Sequence, residues 1–178
     1  MQIEIAKGTD SESTVKLMES LAGARYYSKR STGTPSLRTD GSQCSVDTDR
    51  ESVAAEYFAA QYLGCPFNAT VSSKGDGGSD FVFKLSIEVV WLGVDKKTGK
   101  PRIGGNLIVN PHEPQRWADI YVVVQGSIKT GFHIVGWTTH NELIKRPKVD
   151  FGYGDRFRMP VEDLYDFDLL DFRRKQGQ

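Results

Sequence analysis

The chain is poor in the residues that mark several easily recognised classes of protein. Its two cysteines, Cys44 and Cys65, have no metal-ligand spacing and are too few for a disulfide framework, so we expect free thiols. Its three histidines include no pair at the i, i+4 spacing of a zinc-binding helix, so we do not expect a zinc site. The formal net charge is zero, which removes overall charge as a source of attraction to nucleic acid or membrane but still allows a local basic patch.

Long apolar runs are also missing. No run approaches the roughly 20 residues that a membrane-spanning helix needs, and the first residues, MQIEIAKGTDSES, lack the basic and then apolar layout of a signal peptide. No repeat or low-complexity linker divides the chain. We therefore expect one soluble domain over residues 1–178, in the cytoplasm and without a membrane partner.

Two segments near the N-terminus predict helices. TDSESTVKLMESLAGARYY, residues 9–27, begins with capping residues and then has apolar side chains at helical spacing. DTDRESVAAEYFAAQYLG, residues 47–64, also begins with capping residues and ends at Gly64, a residue type that commonly terminates helices. The stretch between them, residues 28–47, is rich in Ser, Thr, Gly and basic residues and predicts a long flexible loop.

After Gly64 the apolar period changes to two, which is typical of strands. We predict strands at 67–72, 81–92, 105–109, 119–125 and 131–138, then a short helical segment in THNELIK and a final helix or turn in VEDLYDFDLLDF. The isolated RFRMP segment receives no assignment. This order predicts an α/β (α+β) domain with helices flanking a mixed sheet.

One predicted strand contains acidic residues that need an explanation. In GDGGSDFVFKLSIEVVW, residues 75–91, every odd position from 81 onward is apolar, whereas the even positions include Asp80, Lys84, Ser86 and Glu88. In a straight strand Asp80 and Glu88 would lie about 26 Å apart. Either the strand has a solvated acidic face, or a bend near residues 84–86 brings the two acids together to hold Mg²⁺ or Mn²⁺. The bend would lack the usual turn residues.

Glu56, on the second predicted helix, has no Lys or Arg three or four residues away. Either it is a partly exposed glutamate suited to a helix, or it points inward at a cation from elsewhere.

The sequential order of these features resembles the PD-(D/E)XK nuclease superfamily. The resemblance covers roughly residues 50–143: a glutamate on an Ala-rich helix ending in YLG, then GGSDF and IEVVW, and finally GNLIVNP, DIYVVVQGS and FHIVGWTTHNEL, which look like segments of small phage or bacterial members. It implies a restriction-endonuclease-like mixed β-sheet flanked by helices, and a DNA endonuclease that hydrolyses phosphodiester bonds with Mg²⁺ or Mn²⁺. DNA is the implied partner, and a homodimer is one assembly consistent with it.

The resemblance also implies roles for individual residues. Asp80 and Glu88 match the two strand acids that bind metal, with the backbone carbonyl near Val89 as a further ligand. Glu56 matches the helix acid, which acts through the metal or its water. The family's lysine, which orients or helps deprotonate the attacking water, falls on Val90 in this chain.

The absence of that lysine leaves three interpretations open. Lys84 or Gln125 could replace it and preserve catalysis. Alternatively, the chain is a catalytically inactive DNA-binding relative, or a β-domain that binds a small molecule or protein and in which the acids are incidental. Two basic clusters could hold DNA phosphates: Arg25, Lys29, Arg30 and Arg38, and Lys96, Lys97, Lys100 and Arg102.

Overall fold

The fold consists of helices followed by strands. A computed structural model of the chain describes residues 11–31, 46–71, 80–82, 85–93, 105–114, 117–152 and 154–168. The elements are α1 (Ser11–Ser31), α2 (Val46–Leu63), β1 (Phe81–Val82), β2 (Ser86–Leu92), β3 (Asn106–Val109), β4 (Ile120–Ser127), β5 (Gly131–Thr139), α3 (His140–Leu143), β6 (Lys148–Asp150) and β7 (Asp155–Pro160). A 3₁₀ turn, Val161–Asp163, follows β7.

A four-stranded mixed sheet forms the centre of the fold. Its strand order is β1–β2–β4–β5, with β2 parallel to β4 and the other neighbours antiparallel. Because side chains alternate along a strand, the residues of one parity face α1 and α2. They form an apolar core with the helices, and its members include Ala22, Val53, Phe58, Ile87, Val89, Ile120, Val122 and Val124.

The opposite face of this sheet packs against a second sheet. β3, β7 and β6 pair antiparallel in that order. Tyr121 and Val123 of β4 pack with Leu107 of β3 and with Phe157 and Met159 of β7 in a second apolar core. The predicted α+β class is confirmed, but within the described residues α1 and α2 cover one face of the mixed sheet and strands cover the other.

The predicted strand over 81–92 is in fact two antiparallel strands. β1 pairs with β2 through Phe81 with Ile87 and Val82 with Ser86. Asp119, just before β4, holds the start of β2: its Oδ2 accepts hydrogen bonds from the amide and the hydroxyl of Ser86, each at 2.8 Å. A neighbouring strand thus supplies a contact that stabilises a hairpin lacking the usual turn residues.

Other predicted boundaries need correction. α1 continues to Ser31 and α2 begins at Val46, so both ends of the predicted 28–47 loop are helical, and residues 32–45 lie outside the described residues. The strand predicted at 67–72 is wrong over its described part, 67–71, where no strand forms. Instead, the carbonyls of Asn68 and Thr70 accept hydrogen bonds from Arg25.

The C-terminal segments also differ from expectation. The unassigned RFRMP segment is most of β7, whose alternating Phe157 and Met159 are buried against β4. The predicted final helix is limited in the described residues to the 3₁₀ turn, after which Tyr165 pairs with Trp137 of β5. Strand pairing replaces the helix because the chain returns to the edge of the central sheet.

Two expectations drawn from composition can also be compared with the structure. In the described parts of the chain, no helix is both long and apolar enough to cross a membrane. Cys65 is buried and is not part of a disulfide, and Cys44 lies outside the described residues.

We expect Gly126→Ala to destabilise the fold strongly. Gly126 has φ +134°, and a Cβ there would lie 2.1 Å from the Gly131 carbonyl oxygen on β5. Strain and collision together should cost more than about 2 kcal/mol in free energy of unfolding, measured by urea denaturation. Gly23→Ala is the control, because a Cβ on that α1 residue meets nothing within 4 Å and should stabilise by up to about 1 kcal/mol. Equal stability of the two variants would contradict the described β4–β5 pairing.

Candidate metal site at the edge of the sheet

Asp80 lies beside the strand that carries Glu88. It comes just before β1, and its amide and carboxylate contact the backbone of β2 on either side of Glu88, at Ile87 and at Val89. The straight-strand separation of about 26 Å is therefore wrong, and the bend proposed as one alternative is present. Asp80 is buried, with 6% of its surface exposed, and Glu88 is partly buried.

The backbone of Val89 contributes to the same place. Its amide donates a 2.6 Å hydrogen bond to Oδ2 of Asp80, while the amide of Asp80 donates to the carbonyl of Ile87 at 2.8 Å. The N–H and C=O of one strand residue point toward the same neighbouring strand. The Val89 carbonyl therefore faces the side of β2 on which Asp80 lies.

These oxygen donors suit a hard divalent cation. Two carboxylates and a backbone carbonyl match the preference of Mg²⁺, which commonly binds one or two protein carboxylates and keeps several waters. Among the described residues, no group of three His, Cys, Asp or Glu side chains is arranged to hold a metal ion. The donor set therefore fits Mg²⁺ or Mn²⁺ completed by water and substrate oxygens, and does not indicate a closed structural site.

The surrounding sheet face is polar near the start of β2 and β4 and apolar farther along. Alternation places Ser86, Glu88, Asp119 and Tyr121 on one face, away from the helices. Oε2 of Glu88 is inaccessible to solvent. Beyond these residues, Val90 and Val123 continue the face into the second apolar core. The acidic residues of this face thus lie near the start of β2 and β4, where their negative charges favour a bound cation.

A tyrosine and a histidine adjoin the acids. Tyr121, which pairs in register with Glu88, lies with its hydroxyl 3.1 Å from Nδ1 of His140. Burial raises the pKa of Tyr121 to about 12, and the charges of Glu88 and Asp119 act in the same direction. Burial also lowers the pKa of His140, although the charge of Asp119 opposes that shift.

Glu56 has a cationic partner from another helix. Its Oε2 lies 2.7 Å from Nη1 of Arg25 on α1, and both side chains are about nine-tenths buried. Arg25 also binds the Asn68 and Thr70 carbonyls. The interpretation of Glu56 as an inward-facing carboxylate is correct, but the cation that it contacts is a guanidinium. Arg25, named from the sequence as a phosphate-binding residue, is engaged in the same buried contact.

Of the two proposed substitutes for the missing lysine, Gln125 lies within the described residues. Val90 packs against the second apolar core. Gln125 is buried on β4 opposite Leu92 and His133, four residues beyond Tyr121 and hence about 13 Å along the strand from the acidic end. Lys84 lies outside the described residues.

The basic clusters are described only in part. Arg30 is exposed and lies over the ring of Tyr26, with its guanidinium 5.2 Å from the ring centroid. Arg38 and the cluster at 96–102 lie outside the described residues. Arg30 is therefore a member of these clusters that lies at the surface.

Sequence reasoning did not assign Asp119, Tyr121 or His140 to the site. Asp119 and Tyr121 share the parity of the polar face, a signal available in DIYVVVQGS once β4 is placed beside β2. His140 reaches the site because α3 follows β5 directly and its amide donates to the Asp119 carbonyl at 2.8 Å. No local sequence signal indicates that contact.

We expect Glu56→Gln to lower stability without weakening metal binding. Removing one charge of a buried ion pair takes the carboxylate partner from Arg25 and should cost about 3 kcal/mol, measured by urea denaturation. Mn²⁺ affinity, measured by calorimetry on the folded variant, should remain that of the wild type. Glu19→Gln is the control, because its pair with Arg50 is much more exposed and should contribute less than about 1 kcal/mol. Loss of Mn²⁺ affinity with full stability would instead place Glu56 at the metal.

Comparisons with known proteins add no relative to this description. No family model, no curated protein and no solved structure matches the chain. The assignment of the site therefore rests on the contacts and register of the chain's own residues.

Proposed function

We propose that the protein is a Mg²⁺- or Mn²⁺-dependent endonuclease that hydrolyses phosphodiester bonds in DNA. The observation that supports this proposal is the contact of the Asp80 carboxylate with the Val89 amide, next to Glu88 on β2. Carboxylate and carbonyl oxygens at the edge of a mixed sheet are donors that phosphoryl chemistry with hard cations can use. A restriction-endonuclease-like fold belongs to the same proposal.

The residues of the site would act mainly by holding the cation and orienting its ligands. Asp80, Glu88 and the Val89 carbonyl would hold the cation, and the Val89 amide fixes the orientation of the Asp80 carboxylate. When bound, the cation would lower the pKa of a water and offset charge on the phosphate. Asp119 maintains the start of β2 through Ser86, and Oε2 of Glu88 is buried away from solvent.

Asp80→Asn and Glu88→Gln should each abolish cleavage. Each change removes a charged ligand, and we expect the cleavage rate to fall more than about 100-fold, because even residues that only support metal ligands typically contribute 10–100-fold. Nicking of supercoiled DNA with Mg²⁺ or Mn²⁺ measures the effect, with chelator as the blank. Asp163→Asn, which alters an exposed ion pair with Arg146, should leave the rate unchanged. Full cleavage by both site variants would overturn the assignment.

A DNA-binding protein without catalysis is the second candidate. The observation that favours it is the packing of Val90 in an apolar core at the position of the family's lysine. This candidate predicts that wild-type protein never cuts DNA with any divalent cation but still binds it.

Gel-shift titrations at several salt concentrations separate these candidates. Contacts with phosphates make log K fall linearly with log salt concentration, with a slope of about −0.9 per phosphate on duplex DNA. Arg30→Gln should reduce the steepness of that slope if the exposed end of α1 contacts DNA, with Lys16→Gln, an exposed residue paired with Glu12 on α1, as control. If the protein binds neither DNA nor Mn²⁺, the remaining candidate is a β-domain that binds a small molecule or protein.

A further inference from the structure

The C-terminal part of α1 carries two adjacent tyrosines. Tyr27 has 67% of its surface exposed, the largest fraction among the large apolar residues that the structure describes. Tyr26 is partly buried, and its ring meets that of Tyr27 edge to face, with centroids 5.3 Å apart. Successive helix residues point about 100° apart, so Tyr26 can pack toward the protein while Tyr27 faces solvent. The contact with Tyr26 thus restrains a ring that is otherwise open to solvent.

Local stability does not explain a tyrosine at position 27. An exposed side chain gains little from burial, and tyrosine has a lower helix propensity than Lys, Glu or Ala. A charged or small residue would suit a solvated helix face better. Single exposed aromatic residues occur on many protein surfaces, so a ligand is indicated only if a second feature adjoins the ring.

That second feature is a cation held beside the ring. The exposed Arg30 has its guanidinium 5.2 Å from the ring centroid of Tyr26, and its Nη1 donates a hydrogen bond to the Tyr26 hydroxyl. A guanidinium has five N–H donors, so this contact leaves donors for an anion. Residues three apart on a helix have Cβ atoms about 5–6 Å apart, which makes Arg30 a neighbour of Tyr27. α1 has no acidic residue after Glu19.

An open aromatic ring beside a cation matches the chemistry of a nucleotide in a single strand. The base can stack on the ring, and a phosphate next to it can accept hydrogen bonds from the guanidinium. In a duplex both faces of a base are covered by its neighbours, so a surface tyrosine can stack only on an unstacked base. A duplex would require the cation but not the ring, and an apolar partner would require the ring but not the cation.

We propose that Tyr27 and Arg30 form a binding site for single-stranded DNA, in which Tyr27 stacks on an unpaired base and Arg30 contacts a phosphate beside it. Tyr26 positions both side chains through its ring and its hydroxyl. The inference rests on the proposed function for the identity of the ligand as DNA. It adds that the substrate contains an unpaired stretch. The site lies apart from the acids, so its binding can be measured without a divalent cation.

Two substitutions at position 27 separate stacking from general apolar contact. Tyr27→Phe keeps an aromatic face, whereas Tyr27→Leu keeps an apolar side chain without one. Leucine is the better helix former, so the Leu variant should not unfold α1, as checked by thermal unfolding. In chelator, we expect the affinity for a labelled oligothymidylate, measured by fluorescence anisotropy, to fall about 5- to 150-fold in the Leu variant, the range that one stacked base contributes. The Phe variant should lose less than about 2-fold.

Three further measurements serve as controls. Leu17→Ala is the matched control on the same helix, because Leu17 is also 55% exposed, and it should leave the affinity unchanged. Tyr27→Leu should not weaken binding to a duplex of the same length. Arg30→Gln should reduce the slope of log K against log salt concentration on the single strand by about 0.7, the value for one phosphate.

Several results would overturn this inference alone. They are a Leu variant that binds the oligonucleotide as tightly as the wild type, an equal loss in the Phe and Leu variants, and wild-type protein that binds duplex but not single-stranded DNA. A Leu variant that changes the oligomeric state in sedimentation but not the affinity would also overturn it, and would make this face an interface between copies.

The endonuclease proposal fails separately. Wild-type protein that never cuts DNA, but whose binding to single strands is weakened by Tyr27→Leu, would overturn the proposed catalysis and support the stacking site. Wild-type protein that binds neither single-stranded nor duplex DNA would overturn both.

Discussion

The hydrogen bond from the Val89 amide to the Asp80 carboxylate is the contact on which the candidate site depends. It joins Asp80, the residue just before β1, to the backbone that follows Glu88. Because β1 is only two residues long, backbone pairing alone would hold Asp80 weakly. A charge-assisted hydrogen bond at 2.6 Å is short and strong, and it fixes the carboxylate beside the Val89 carbonyl. The orientation of Asp80 and the position of the strand edge are thus set by one interaction.

The two faces of the central sheet accommodate charged residues differently. On the helical face, the buried pair of Glu56 and Arg25 joins α1 to α2. On the opposite face, Glu88 and Tyr121 begin a polar end that changes to apolar packing at Val90. Alternation along β2 and β4 makes this division possible, because adjacent residues of one strand serve opposite faces. A charged residue can therefore belong to the site while its neighbours in sequence stabilise the core.

The sequence predicts the parts of this arrangement that depend on local pattern. The period of two placed Glu88 on the face opposite the buried Ile87 and Val89, and α2 with its end before Gly64 was recognisable from capping and helix-forming residues. Local pattern could not show that the strand reverses, because the hairpin is stabilised by Asp119, about 30 residues later in the chain. The partner of Glu56 is likewise distant, at Arg25. Contacts between separate elements, including Tyr121 with His140, depend on sheet register, which local spacing does not encode.

The second sheet gives a physical reason for Val90. Position 90 lies two residues beyond Glu88 on the same face, so a lysine there would extend from the point where that face enters the apolar core formed with Leu107 and Phe157. Placing an ammonium group in that core without a partner would be costly, whereas valine packs there. The absence of lysine is therefore compatible with the acids keeping their place, because the polar end of the face ends before residue 90. In the proposed hydrolysis, an assisting cationic side chain would therefore have to come from an element other than β2.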